Sequence, residues 1–421
     1  MIGIPHRYLT QGLPGTAGVI RAELDDFNVA EVPLYAACGE GEHVYFEIEK
    51  RDLSTLEALE WIATRLDRPV RDFGYAGLKD RKGVTRQTLS ISGVDETIIE
   101  NLEVPKVRVL GVYRHTNKLR VGHLRGNRFV IRIREVGPGA LATASAVLAV
   151  VGQTGLPNYF GPQRFGNRGD AQWIGGALLR HDARAAVRRI LGCPAPTEHN
   201  PHVVAARFLF LQYRWREALE RFPASYREER RMLHYLLRAG EKYAGAIKQL
   251  RAPILRLYYS AFQSWLFNRI LERRLEEAGG ALGPLWPGDI AWIHRNGAVF
   301  RVEDPDAEAS RVARFEISAS GPLFGRKTVH AGGRQGEIEA DALAEVGVRA
   351  SDFHQLQQRC QLDGGRRPLR VPVEDLSCDL DGDGLVLRFF LPKGSYATTL
   401  LREVMKNEEV PEGYLEALDD G

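Results

Sequence analysis

The sequence is short of cysteine, of long apolar runs and of net charge, and each shortage removes a class of protein. Its four cysteines, Cys38, Cys193, Cys360 and Cys378, form no Cys-x-x-Cys pair. That spacing argues against a zinc ribbon or a disulfide framework and for reduced, buried thiols in a cytoplasm. The longest apolar stretch, Leu141 to Val151, is too short to span a bilayer, and Met1 to Gly12 lacks a positive-then-apolar signal pattern. The expectation is a soluble, cytoplasmic protein with no membrane role. Net charge is only +3, so any nucleic-acid surface has to come from local clustering. No metal site, cofactor or obligate protein partner is evident. Gly161 to Gly166 has P-loop spacing, but Asn167-Arg168 stands where Lys-Ser/Thr is needed. Asp379 to Gly384 imitates a calcium loop, but Phe390 holds the place of the bidentate glutamate.

What is present fits a large globular chain. Its 421 residues allow two or three domains, and 44% apolar with 26% charged residues is ordinary for a packed core. Acid is missing locally. From Val104 to Arg134 there are nine Lys or Arg residues and no Asp or Glu. Apolar residues alternate there (Val107, Val109; Phe129, Ile131, Ile133), which predicts strands with one basic face able to track a phosphate backbone. Asn127 and Phe129, two apart, point the same way on such a strand.

The chain is organised around Gly74-Tyr-Ala-Gly-Leu-Lys-Asp-Arg-Lys-Gly-Val-Thr-Arg-Gln-Thr88. Phe73 to Tyr75 and Val84 to Ile91 read as strands, so Gly77 to Gly83 is the turn between them. Asp80 sits there among Lys79, Arg81 and Lys82, cations that favour a charged carboxylate. Such a group can serve as nucleophile or base towards an anionic substrate. Taken alone, the same string is also an ordinary solvated turn.

Elsewhere, Gly18 to Val32 and His43 to Ile48 are strand-like. Ser54 and Glu57 form a capping box opening a helix from Thr55 to Leu66. Asp95 to Leu102 is a short helix, Leu141 to Val151 a small-residue helix, and Gly155-Leu-Pro157 a break. Residues 170 to 277 are mainly helical. Within them Arg207 to Arg256 carries twelve basic residues against five acids, interleaved with aromatics, equally suited to RNA contact or to scaffold. Leu369 to Leu376 and Leu385 to Leu391 form a hairpin, and a helix runs from Thr398 to Lys406.

Ala76-Gly-Leu-Lys-Asp80 with Val84-Thr-x-Gln87 resembles the signature of the TruD family of tRNA pseudouridine synthases. So do Asp26-Phe-Asn-Val-Ala-Glu31 with Gly39 to His43, and Arg114-His-x-x-Lys-Leu-Arg-x-Gly122 with Gly126-Asn-x-Phe129. Further matches are Asn158-Tyr-Phe-Gly to Gly166, Arg256 to Asn268, Gly321 to Gly325, and Leu391-Pro-x-Gly-Ser-Tyr-Ala-Thr398. The blocks span nearly the whole chain in the family's order. Departures are Arg81-Lys82-Gly83, where bacterial members often show Lys-His-Ala, and Arg21, where many have lysine.

The resemblance implies an α+β protein: a catalytic pseudouridine synthase domain on a mixed, mainly antiparallel sheet (1–154 plus 366–421), with an inserted TruD-type domain (155–365). It implies uridine-to-pseudouridine isomerisation in tRNA, at position 13, without a cofactor. Asp80 would be catalytic, attacking C1′ or removing the C2′ proton. Phe27, Asn127, Phe129 and Tyr396 would hold the flipped nucleotide, the rings offsetting the cost of flipping. Lys79, Arg81, Lys82, Lys118, Arg120, Arg125 and Arg164 would bind RNA. Two rivals stay open on residues alone: a non-catalytic RNA-binding or RNA-folding protein, and a carboxylate-dependent glycosidase that releases uracil.

Overall fold

A computed structural model describes residues 6–356, 360–382 and 384–407, and the chain divides into two compact units. One joins Tyr8–Leu156 to the chain from Val371 onward; the other comprises Pro157–Arg370 and the residues before Tyr8.

The discontinuous unit is built on a nine-stranded sheet. Its strands are β1 (Val19–Ile20), β2 (Phe27–Pro33), β3 (His43–Arg51), β4 (Gly74–Tyr75), β5 (Val84–Ser92), β6 (Val107–His115) and β7 (Leu124–Arg134), then Glu374–Asp381 and Gly384–Pro392. The order runs Glu374–Asp381, Gly384–Pro392, β7, β2, β5, β3, β6, with β1 on β7 and β4 on β5. Only β2 and β5 pair in parallel.

Because side chains alternate along a strand and paired residues share a face, the register assigns the faces. Phe27 and Val29 lie opposite Ile131 and Phe129, and Val29 also opposite Thr85. Thr85 and Gln87 in turn face Lys50 and Ile48. One sheet face therefore carries two apolar fields. The first joins Phe27, Val29, Phe129, Ile131 and Leu387 to the helices Ala140–Thr154 and Ala397–Met405. The second joins Val44, Phe46, Ile48 and Leu89 to α1 (Thr55–Arg65). Between them on that face runs a polar seam of Glu31, Lys50, Thr85, Gln87 and Asn127.

The two ends of this unit are tied together. Buried Glu403 accepts from the Leu9 and Thr10 N–H groups (2.9 and 3.2 Å), and Thr16 and Ala17 N–H donate to the Val404 and Met405 carbonyls. The expected strand Gly18 to Val32 is broken, since Arg21 takes a left-handed backbone (φ 60°) and Leu24–Asp26 makes a 3-10 turn. Asp26 causes the break: its carboxylate accepts the Glu23 N–H (2.7 Å) and three bonds from Arg134 at 2.8 to 3.0 Å. Burial pulls its pKa up, but Arg134 and the Glu23 N–H outweigh that and hold it below the usual 3.8.

The capping box of α1 forms as read, Ser54 and Glu57 exchanging hydrogen bonds. The terminal hairpin begins at Glu374 instead of Leu369. Leu369 donates to Ala319, and Arg370 reaches Ser318 and the Val312 carbonyl, all within the other unit. Asp379 pairs with Arg388 and Asp381 with Arg132, so these acids of the calcium-like stretch are engaged by arginines. Of the thiols only Cys360 is buried, and Cys38 is exposed, which corrects the expectation of four buried cysteines.

The other unit packs helices, among them Ala171–Leu179 and Ala252–Glu277, with a four-stranded sheet. Asn268 exchanges two hydrogen bonds with the Phe160 backbone, which anchors the Asn158-Tyr-Phe-Gly element structurally. In the basic-aromatic stretch, Arg207 is buried against Glu198 and Phe210 stacks on Trp215, so part of that run is scaffold.

Replacing Asp26 by Asn should remove about 1–3 kcal/mol of stability at neutral pH by weakening charge-assisted bonds. Asp26 binds its proton less readily when folded than when unfolded, so its stabilisation is full well above pH 3.8 and fades as pH falls below it. Urea titrations from pH 7 to pH 3 should show the two proteins converging at the acid end; a constant gap would contradict this.

Candidate active site

The loop between β4 and β5 is fastened from behind. The Lys79 N–H donates to Thr55 Oγ1 at the start of α1 (2.8 Å), and that hydroxyl donates to Gln87 Oε1 on β5 (2.8 Å). The Lys79 ammonium meets Glu31 Oε2 at 2.6 Å, with the two side chains 5% and 2% exposed. Lys79 was expected to hold phosphate. Buried and paired with β2, it instead positions the loop, because freeing it would leave Glu31 charged and unpartnered in the core.

Lys50 makes the second fastening. Its buried ammonium donates to the Asp80 carbonyl (2.8 Å), to the Leu53 carbonyl and, at 3.4 Å, to the Lys79 carbonyl. Burial lowers its pKa to about 8; Asp80 and Glu57 oppose that shift and Lys79 adds to it. The far end of the loop is set by Gly83 (φ 152°), whose Cα faces the Phe27 carbonyl so closely that a Cβ would stand 2.5 Å from it. Only glycine fits.

Held this way, Asp80 carries its carboxylate outward, with the side chain 46% exposed and Oδ2 accepting from Arg21 Nη2 at 2.8 Å. Arg21 itself is mostly buried, and its guanidinium lies 3.9 Å from the Phe27 ring centroid. The expected cation neighbours of Asp80 thus give way to a residue 59 positions upstream. Arg81 leans on Glu57 and Asp52 (3.5 and 3.8 Å), and Lys82 is half-buried at the outer end of the loop.

Four of the residues read from the sequence as the nucleotide site lie in this unit. Phe27 meets Phe129 edge-on (6.4 Å), and Phe129 stacks on Phe389 (5.1 Å, 21°). At 2% and 6% exposure, with Arg21 over one of them, neither ring offers an open face to a base, contrary to the expectation. They are packed rings of the first apolar field. Tyr396 is half-buried and caps the helix Ala397–Met405. Asn127 lies opposite Glu31 and Leu391, which places it in the seam beside the Glu31–Lys79 pair. Its Oδ1 is buried and finds no donor among the described residues. A buried acceptor in that state costs about 1–3 kcal/mol.

The other RNA candidates divide. Lys118 donates to the Arg71 carbonyl (2.7 Å), Arg120 is exposed, and Arg125 is exposed with Glu374 at 2.5 Å. Arg164 belongs to the other unit, bonded to Ser264 Oγ at 3.0 Å. Arg21, Lys50 and Glu31 were not read as site residues. Lys50 had a signal: it follows Val44, Phe46 and Ile48 in the inward register, where a lysine has no place in a plain core.

Comparison with known proteins identifies the family. The family described as tRNA pseudouridine synthase D (TruD) matches residues 3–404. Proteins named tRNA pseudouridine synthase D are similar: that of Geobacter metallireducens is 46% identical over 400 residues, 95% of this chain and 98% of its own. That of Thermus thermophilus is 40% identical over 410 residues, 96% of this chain and 94% of its own. A crystal structure described as tRNA pseudouridine synthase D (TruD) from Methanosarcina mazei superposes with a TM-score of 0.83 at 30% identity, covering 96% and 97% of the two chains. The fold is that of a pseudouridine synthase, a class of isomerases. Within that class the chain belongs to the TruD family.

Lys50→Met should lower the turnover rate by at least tenfold while RNA affinity stays within about twofold, because it releases the Asp80 carbonyl without touching an exposed cation. In the unaltered protein the rate should fall above about pH 8, as Lys50 loses its proton. Stability should move the other way. A lysine whose pKa drops from 10.5 to about 8 on folding binds fewer protons folded than unfolded, so its contribution rises between those pH values. A rate that tracks unfolding across this window would contradict the assignment.

Proposed function

We propose that this chain converts uridine to pseudouridine in tRNA, at position 13, with Asp80 as the catalytic group. The observation that carries the reading is the outward Asp80 carboxylate, held by Lys50 and Arg21 at the end of a buried polar seam. The substrate class follows the names of the relatives, and position 13 follows the motif resemblance. A cytoplasmic location suits a tRNA substrate.

The reaction breaks the N1–C1′ bond and forms C1′–C5 within one nucleotide, so it balances without an oxidant, reductant or second substrate. A base inside a stack cannot turn over, so the nucleotide has to leave it at a cost of a few kcal/mol. With Phe27 and Phe129 closed, less of that cost is offset by open rings than the motifs implied; Tyr396 supplies stacking of about 1–3 kcal/mol and the Asn127 acceptor a hydrogen bond. Arg21 holds the Asp80 carboxylate in place through its 2.8 Å bond. From there Asp80 either attacks C1′ or takes the C2′ proton, and the detached base stays between Asn127 and Tyr396 while it rotates.

Asp80→Asn tests this reading. The variant should bind tRNA with unchanged affinity and form no pseudouridine in a product digest. Pseudouridine from the variant would remove Asp80 from the role. Free uracil from the native protein would make it a glycosidase, and binding without either product would make it an RNA-binding protein only.

A further inference from the structure

On the opposite face of the sheet from the polar seam lies a second feature that the reaction does not use. Tyr45 alternates with Val44 and Phe46, so it lies on the other face, where it is buried with Ala76, Leu119 and Leu124, and Tyr113 and His115 lie opposite Tyr45 and His43 on that face. There Tyr35, His115, Asn117, Lys118, Arg120 and His123 line a groove of about 440 Å³, within the range of small-molecule sites. Its wall is aromatic and rigid. Tyr35 stacks on His115 (centroids 5.2 Å, 19°), its hydroxyl is 2.7 Å from His123 Nδ1, and Tyr45 Oη donates to the Asn117 carbonyl at 2.8 Å. Its rim is cationic. Arg120 is exposed and has no side-chain hydrogen bond or ion pair among the described residues, and no carboxylate lines the groove.

We propose that this groove is an accessory subsite that takes one unpaired nucleotide of the RNA, separate from the uridine that reacts. The base stacks on the Tyr35–His115 pair, its edge meets the Asn117 amide and His123, and the adjoining phosphate sits between Lys118 and Arg120. Planar rings with hydrogen-bonding edges beside two cations are the chemistry that recognises a splayed nucleotide, whereas a duplex presents no free ring face. The assignment rests on the chain acting on RNA, and it places a binding determinant away from the reacting carboxylate.

An abasic scan tests it. In the Asp80→Asn background, so that the RNA is not altered, each tRNA nucleotide outside the target is replaced in turn by an abasic one and the dissociation constant is measured. One position should weaken binding about five- to hundredfold. The same change should cost a Tyr35→Ala protein nothing further, while Tyr35→Phe, which keeps the ring, should behave as the parent. Neutralising the adjoining phosphate as a methylphosphonate should likewise weaken the parent and not Arg120→Ala. That exposed substitution decides the matter if Tyr35→Ala does not fold. Equal penalties in parent and variants at every position would overturn the subsite. The outcome is separate from that of the function: coupling without pseudouridine formation would sink the proposed reaction and keep the subsite, and pseudouridine formation without coupling would do the reverse.

Discussion

The ion pair between Glu31 and Lys79 is the constraint on which the site depends. Two opposite charges meet in the polar seam between two fields of Val, Phe, Ile and Leu, and neither can separate without leaving the other stranded in low dielectric. The pair gives little net stability, but it permits one position of the loop. With Lys50 and Thr55 bonded to the same segment, and Thr55 in turn held by Gln87, the backbone at Asp80 is fixed from two sides. A catalytic group gains from such rigidity because its orientation is fixed before substrate arrives.

Long range enters through Arg21. The helix Ala397–Met405 hydrogen-bonds Thr16 and Ala17, β1 follows on the edge of β7, and the left-handed turn at Arg21 then directs its guanidinium to Asp80. Both ends of the polypeptide are therefore needed to complete the ion pair. Burial raises the pKa of Glu403 even though the hydrogen bonds from Leu9 and Thr10 pull it down, which marks how tightly that junction is closed.

Much of this was legible in the sequence, and the remainder failed for definable reasons. Periodicity and caps located α1, β5, β7 and the closing helix, since each is a local pattern. Asp80 was singled out by its motif, since its loop composition alone also fits an ordinary solvated turn, and the motif blocks named the family. What composition could not say is which of three adjacent cations faces inward. Lys79 does, because the loop doubles back over β2, and that depends on Glu31, 48 residues away. Phe27 and Phe129 matched their motif positions, yet the register places them under the helix Ala140–Thr154 and the closing helix as packed rings. Arg21 seemed a minor variation because its partner lies 59 residues along the chain. The break before β2 likewise needed Arg134, 108 residues from Asp26.

The central claim is that Lys79 acts through Glu31 on the loop and not on RNA. A double-mutant cycle with Glu31→Gln and Lys79→Met, reading both single-turnover rate and the salt dependence of tRNA affinity, tests it most directly. Each single change should slow conversion by tenfold or more, the double should be no slower than either, and the salt slope should stay that of the parent. Additive losses in rate, with a slope flattened by about one unit in Lys79→Met, would put the ammonium on a phosphate and contradict the account.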